Sequence, residues 1–384
     1  MARKDYVTRT LTLPNGKRKY IYGKNATEAN AKLEEAKLLL RAGIDLDNDT
    51  TVGEFAQMWY TIYKKPDLKP KSQESLLNAI NNHILPYMGA VAVQDVTPMT
   101  IKNCLNHLSD KSHSLYRTVL QTLRNIFDTA VDNNLIAKSP VPVKAKAKGV
   151  SKEEKEPLTR QQEKTLMEAL EGTRAHLLVW FLKSTGLRRG EALGLMWNCV
   201  HIPNIKQATI QVKRNLVFVK GKAILEDTPK TDCSNREVPI PPDLALALLA
   251  HKQKSKSVFV FSKKNGEMMT ESSFRRLWEI IDARQKPSED EIWEELQKDK
   301  DDPKKIDRHP WVKRILDFDV TPHQLRHTYA TRCFEDGMDV KEVQRLLGHS
   351  DPTITMKIYI HYCETQRKES TYEKVRESRQ LQAQ

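Results

Sequence analysis

The chain has 384 residues, enough for two or three domains and a sizeable buried core. Its 63 Lys+Arg against 50 Asp+Glu give a formal charge of +13, and 39% hydrophobic with 29% charged residues is a globular composition that excludes disorder and collagen-like repeats. The longest apolar runs, Leu177 to Leu182 and Leu244 to Ala250, fall well short of the roughly 20 residues a membrane span needs, so a soluble protein is expected.

The first residues are basic with no apolar stretch behind them, so no secretory signal is read there. The five cysteines (Cys104, Cys199, Cys233, Cys333, Cys363) are odd in number and widely spaced, the pattern of reduced thiols in a cytosol. Residues 1–25 hold seven cations (Arg3, Lys4, Arg9, Lys17, Arg18, Lys19, Lys24) against the single Asp5. Alternation in Tyr6–Leu13 and Arg18–Tyr22, joined through Asn15-Gly16, predicts a β-hairpin, because Asn-Gly accepts the positive φ of a tight turn. A helix over Ala26–Ala42 follows, started by an Asn25/Glu28 capping pattern and closed by Gly43. The resulting ββα-like module, residues 1–48, places its cations on strands, and two strands fit a DNA major groove. Asp45 to Asp49 imitates a calcium loop, but Thr50 and Ala56 stand where Gly and Glu are needed, so calcium is rejected.

From Thr51 the apolar residues recur at three and four: Val52, Phe55, Trp59, Ile62, Tyr63; Leu76, Leu77, Ile80, Ile84; Ile101, Leu105, Leu108; Leu115, Leu120, Leu123, Ile126, Phe127. Four amphipathic helices in one bundle are predicted over residues 49–140. Residues 141–156 read as a basic linker in which Lys144, Lys146 and Lys148 alternate, a spacing that suits contact with a phosphate backbone. A second domain opens at Thr159 and is helical except for strands at Thr209–Val212, Leu216–Lys220, Ala223–Leu225 and Arg236–Ile240. Residues 284–308, with seven basic and nine acidic side chains, read as a solvated excursion. The expected fold class is mainly α with small β-sheets (α+β).

Phosphate-binding glycine loops, dinucleotide fingerprints, HExxH and zinc-spaced Cys/His pairs do not occur, so nucleotide hydrolysis, dinucleotide redox chemistry and common zinc sites lose ground. What remains is Arg, Lys, His and Tyr. Thr321 as N-cap and Pro322 at the first helical position put His323 and Arg326 one turn apart on one helix face, where they can converge on a small anion. His327, four residues after His323, lacks a third ligand and reads as packing or surface. Further pieces are Thr185–Trp197, Thr228–Pro239 and a helix that stops at Gly348 before His349, followed by Thr353–His361.

In their order, a TGLRRGE segment, a PKT…R.VP hairpin, HQLRH, LGH and a tyrosine ten residues past that histidine, these motifs resemble the tyrosine recombinase (phage integrase) family over about residues 50–365. The basic N-terminal module resembles the arm-binding domain of phage and conjugative-transposon integrases. The resemblance implies a core-binding helical bundle, a mixed α/β catalytic domain at 157–361 and a C-terminal tail, 362–384, exchanged between protomers. It implies Arg188, Lys230, His323, Arg326, His349 and the nucleophile Tyr359 as the catalytic set, with Glu191 in support. Arg3, Lys4, Arg9, Lys17, Arg18, Lys19, Lys144, Lys146 and Lys148 are the expected DNA contacts.

The physical reading agrees. A phosphodiester is anionic, so its transition state needs always-charged, multi-donor forks such as Arg188 and Arg326. A phenol attacking phosphorus gives a covalent intermediate, by resemblance a 3′-phosphotyrosine with a free 5′-hydroxyl. One phosphodiester replaces another, so no cofactor and no metal is expected. Lys230, on a hairpin turn, is the expected proton donor to the departing 5′ oxygen; His323 is the acceptor or hydrogen-bond partner of the tyrosine, and His349 donates to the phosphate. The implied activity is a site-specific recombinase that integrates and excises a mobile element as a homo-tetramer on double-stranded DNA with core and arm sites. Accessory directionality or bending proteins and a bacterial cytoplasmic, nucleoid-associated location belong to the same reading. Two alternatives stay open from the residues: a topoisomerase IB-like strand-passage enzyme and a non-catalytic DNA-binding protein.

Overall fold

The computed structural model describes residues 6–144, 147–150, 155–227, 235–285 and 316–381, with backbone alone from residue 368 onward. Two compact units divide the chain, Met1–Glu153 and Glu154–Gln384.

In the first unit β1 (Val7–Thr12) and β2 (Arg18–Gly23) pair antiparallel, with Gly16 at φ +81 in the turn. Helix α1 (Ala26–Arg41) lies on one face of this hairpin, where Leu33, Ala36, Leu39 and Leu40 meet Leu11, Leu13, Ile44 and Leu46. A Cβ on Gly23 would stand 2.4 Å from the Ala29 nitrogen, so only glycine lets the helix start this close to the strand. Asn25 accepts the N–H of Glu28, as the capping pattern predicts, but the Glu28 carboxylate accepts the N–H of Lys24.

Helices α2 (Val52–Trp59), α3 (Pro70–Ala79), α4 (Leu85–Met88), α5 (Pro98–Asn106) and α6 (His113–Asp132) build the bundle. Phe55, Trp59, Ile80, Ile84, Met88, Ile101, Leu123, Ile126 and Phe127 fill its core. Two of the expected core positions are corrected: Ile62 is 59% and Tyr63 43% exposed. The chain widens into a π-turn at Tyr60–Lys64, which breaks the count of three and four and rotates both residues off the apolar stripe. The basic segment after the bundle is fastened to it: Val141 is buried, Ala147 packs on the core, and the Val150 N–H donates to the Lys111 carbonyl at 2.9 Å. Lys144 and Lys148 are exposed; Lys146 lies outside the described residues.

The second unit runs α7 (Arg160–Leu170), α8 (His176–Thr185), α9 (Arg189–Leu193), β3 (Val200–His201), β4 (Thr209–Val212), β5 (Asn215–Val219), β6 (Lys222–Glu226), β7 (Arg236–Pro239), α10 (Pro242–Lys254) and α11 (Glu271–Asp282). It continues with α12 (Pro322–Glu335), α13 (Val340–Leu347) and α14 (Pro352–Leu381). Strands β5 and β6 form a hairpin, with Lys220 and Gly221 at positive φ. The expected hairpin between Thr228 and Pro239 is corrected, because β7 pairs antiparallel with β4, opposing Val212 to Arg236 and Ile210 to Val238, instead of returning along β6. Of the charged excursion only Arg284 and Gln285 lie within the described residues. Helix α12 packs on α8, and its Thr328 hydroxyl accepts the N–H of Leu158, 170 residues away, at 2.9 Å. This tertiary bond fixes the start of the unit against the helix that carries Arg326.

Candidate active site

Helix α8 ends at Gly186 with φ +62, where any Cβ would lie 2.3 Å from the Tyr329 ring. The tight stop turns Leu187 into the core and makes Arg188 the N-cap of α9. Glu191, at the third helical position, accepts the Arg188 N–H at 2.8 Å and the Arg188 Nη1 at 2.8 Å, so one carboxylate caps the helix and holds the arginine. The Glu191 side chain is 5% exposed.

Two more arginines reach the same carboxylate. Arg236, the inward-facing first residue of β7, donates Nη1 to Glu191 Oε1 at 3.1 Å and Nη2 to Oε2 at 2.9 Å. Arg326 on α12 brings Nη1 within 4.0 Å of Glu191 and donates to the carbonyls of Gly186 (2.8 Å) and Leu347 (2.6 Å). Burial raises the Glu191 pKa, but the Arg236 hydrogen bonds and the charges of Arg236, Arg188 and Arg326 outweigh it and hold the group at about 2. Burial, reinforced by Arg188, lowers Arg326 to about 9, which leaves it charged at neutral pH. Three cations around one anion leave the cluster net positive.

Helix α13 ends at Gly348, φ +66, and points its last carbonyls at this cluster. Leu346, Leu347 and Gly348 accept in turn from Arg236 Nε (2.6 Å), Arg326 Nη2 (2.6 Å) and Arg188 Nη2 (3.2 Å). Guanidinium groups thus satisfy helix-terminal acceptors and complement the negative end of the helix dipole. His349 follows directly, 5% exposed, with Nδ1 2.8 Å from Thr355 Oγ1. Burial first, then the charges of Arg326 and Arg188, lower its pKa to about 3, so the imidazole is neutral at physiological pH. In the tautomer where the Thr355 hydroxyl donates to Nδ1, Nε2 carries the proton and can donate to an anion.

Thr321 caps α12 by accepting the Gln324 N–H, as expected, yet His323 is exposed while Arg326 is 2% exposed. His323 Nε2 lies 2.9 Å from Nε2 of His327, the residue read as surface or packing. Tyr359 is 37% exposed on α14, with its ring edge-on to Phe334 at 5.2 Å. A hydrogen bond with Cys363, one turn on, holds its hydroxyl above the usual phenol pKa, so it is protonated at neutral pH. Lys230 lies outside the described residues. Arg236, the arginine of the R.VP motif, was given no role by sequence reasoning; the further signal was its place on the inward face of a strand with buried Val238.

Among the expected DNA contacts, Arg3, Lys4 and Lys146 lie outside the described residues. Arg9, Lys17 and Lys19 are engaged within the unit: Arg9 donates to Asn30 at 2.7 Å, Lys17 pairs with Asp47 at 2.6 Å, and the Lys19 ammonium donates to the Leu46 carbonyl. The register places Arg18 on the other face of the hairpin, with Thr8, Thr10, Thr12, Tyr20 and Tyr22, all exposed.

An arginine pair beside a buried glutamate, a neutral histidine at a helix stop and a tyrosine on the next helix define the class of enzymes that break and rejoin DNA through a tyrosine. The chain belongs to this class: residues 156–366 match the model of the phage integrase family, and residues 51–109 match that of the phage integrase N-terminal SAM-like domain. It is 31% identical to a XerC-like tyrosine recombinase of Caldanaerobacter subterraneus subsp. tengcongensis over 93% of each chain. The integrase of mycobacteriophage L5 is 25% identical, covering 80% of this chain and 74% of that protein. In fold, the chain resembles the Tn1549 transposon integrase solved with transposon right-end DNA (TM-score 0.61, 21% identity, 83% of this chain and 99% of that one). It also resembles a lambda integrase tetramer bound to a Holliday junction (TM-score 0.55, 17% identity, 91% of each chain). The protein is a site-specific tyrosine recombinase, an enzyme of DNA breakage and rejoining, and no comparison favours the topoisomerase or non-catalytic alternatives. No helix among the described residues is long and apolar enough to cross a membrane.

Proposed function

We propose that the chain integrates and excises a mobile element by transesterification through a 3′-phosphotyrosine at Tyr359. The observation that carries this reading is the buried carboxylate that fastens Arg188 and Arg326, which come from segments 138 positions apart in sequence, into one net-positive cluster beside His349. Arg188 and Arg326 neutralise the non-bridging oxygens as charge builds on phosphorus, and neutral His349 donates to the same phosphate. Tyr359 enters protonated, so attack needs an acceptor, for which His323 is the candidate; Lys230 is the candidate donor to the 5′ oxygen. Each bond broken is replaced by one of equal kind, so no cofactor is required.

In this reading residues 1–48 bind arm sites, 49–140 bind the core site, 141–156 join that bundle to the catalytic domain with Lys144, Lys146 and Lys148 along the phosphate backbone, and 157–361 carry the reaction. Arm recognition falls to the open hairpin face, Arg18 with Tyr20 and Tyr22, and to Arg3 and Lys4, more than to Arg9, Lys17 and Lys19, which have intramolecular partners. The tail, 362–384, of which α14 runs to Leu381, docks on a neighbouring protomer of a tetramer, the assembly in which the lambda integrase was solved on a Holliday junction. Accessory directionality or bending proteins act with it, in a bacterial cytoplasm at the nucleoid.

Tyr359→Phe tests the reading. On a nicked duplex the variant should form no covalent protein–DNA adduct while binding DNA nearly as well as the parent chain. A persisting phosphotyrosine adduct would remove Tyr359 from the reaction.

A further inference from the structure

We infer that Arg236 is a positioning residue for the recombination reaction: it orients the carboxylate that holds Arg188 and Arg326 and fixes the turn that presents His349. The inference rests on the proposed roles of Arg188, Arg326, His349 and Tyr359.

Three arginines surround Glu191, but they are not equivalent. The Arg188 side chain is 42% exposed and those of Arg236 and Arg326 are each 3% exposed, so what sets Arg236 apart is how its guanidinium holds the carboxylate. Arg236 is the one whose guanidinium grips both carboxylate oxygens, Nη1 on Oε1 and Nη2 on Oε2. A bidentate pair of this kind fixes the plane of the carboxylate as well as its position. With that plane set, Oε1 remains aligned for Arg188 Nη1 and Oε2 for the Arg188 backbone N–H. The third nitrogen of Arg236, Nε, donates to Leu346 at the end of α13. The side chain also lies directly beneath the turn that follows: a Cβ on Gly348 would stand 2.8 Å from Nη1 and 3.1 Å from Cδ and Cζ. One residue later comes His349.

Arg236 therefore ties strand β7, the α9 cap and the α13 stop into one unit. Its charge matters as much as its shape. If it is removed, Glu191 stays ionised and buried with only Arg188 and Arg326 to neutralise it. Both are then drawn inward, and the positive charge that should meet the phosphate is spent on the carboxylate. A lysine retains the charge but has no planar fork, so it cannot hold two oxygens in parallel and reach the Leu346 carbonyl as well.

The test uses the full-length chain and a nicked duplex carrying a site selected by that chain from a random pool. DNA affinity, the rate of covalent adduct formation at saturating DNA, and the melting midpoint are measured for Arg236→Lys and Arg236→Met. Adduct formation should slow about 100-fold in Arg236→Lys while affinity stays within about threefold of the parent. In a Glu191→Gln background the same change should slow the rate far less, since the two residues act as one device. The inference is overturned if Arg236→Lys forms adduct within about threefold of the parent rate, or if affinity falls by the same factor as the rate. Arg236→Lys decides the matter should Arg236→Met fail to fold. Adduct formation by Tyr359→Phe would instead sink the underlying assignment and leave the arginine geometry untouched.

Discussion

Two regions of this protein are rich in arginine and lysine, and they use the charge in opposite ways. On the N-terminal hairpin the cations sit at the surface, and three of them have separate partners: Arg9 with Asn30, Lys17 with Asp47, Lys19 with the Leu46 carbonyl. In the second unit Arg188, Arg236 and Arg326 converge on Glu191, and two of the three side chains are 3% exposed. Water and salt screen the first set, so each pair is nearly independent and replaceable. Burial couples the second set, so each charge is required by the others. A net charge of +13 cannot distinguish these situations; only the solvent around each group can.

The sharpest way to break the comparison is to remove the shared carboxylate. Glu191→Ala leaves three like charges facing one another in a buried site and should cost about 3–5 kcal/mol of catalytic-unit stability, with near-complete loss of DNA cleavage. Urea denaturation and adduct formation measure the two effects. A loss below about 1 kcal/mol would mean that water reaches the cluster and that the contrast with the hairpin is false.

Acid titration is the next largest effect. His349 is held neutral in the folded chain, with a pKa of about 3 against 6.5 for the free group, so the unfolded chain binds the proton first. Its contribution to stability is whole above pH 6.5 and is lost as pH falls towards 3. Glu191, held at about 2 against 4.5, adds a second loss below pH 4.5. Both act in the same direction, and each pH unit that separates the folded from the unfolded pKa corresponds to about 1.4 kcal/mol. The urea midpoint of the parent should fall steadily from pH 7 to 4, and His349→Gln should flatten the limb above pH 4.5. An equal slope in that variant would assign the acid sensitivity elsewhere.

The smallest effects belong to the hairpin. Lys17→Ala should leave the melting midpoint nearly unchanged and reduce arm-site binding only slightly. Replacing Tyr20 and Tyr22 with alanine should weaken arm-site binding several-fold without changing core-site binding or adduct formation. If Lys17→Ala is the more damaging change for arm sites, the open face is not the reading face.

Much of this was legible in the sequence because it is local. A cap needs only a short polar side chain and the right residue three positions on, so Thr321 and Thr159 announced their helices. Glycine at a helix stop announced Gly348, and the apolar period located the bundle core from Phe55 to Phe127. The order of Arg188, Arg326, His349 and Tyr359 was readable as well, because chain order needs no coordinates. Where counting failed, the backbone had departed from the regular helix, as at Tyr60–Lys64, or a strand had changed partner, as β7 did in pairing with β4.

The sequence by itself determined the residue types, their order and the local turns that start and stop their helices. Tertiary structure decided which of those charges share a carboxylate. Glu191, Arg236 and Arg326 lie 45 and 90 positions apart, and no local period links them. Their pairing follows from burial: an ionised glutamate in the core must be met by cations, and the fold supplies them from whichever elements pass within reach.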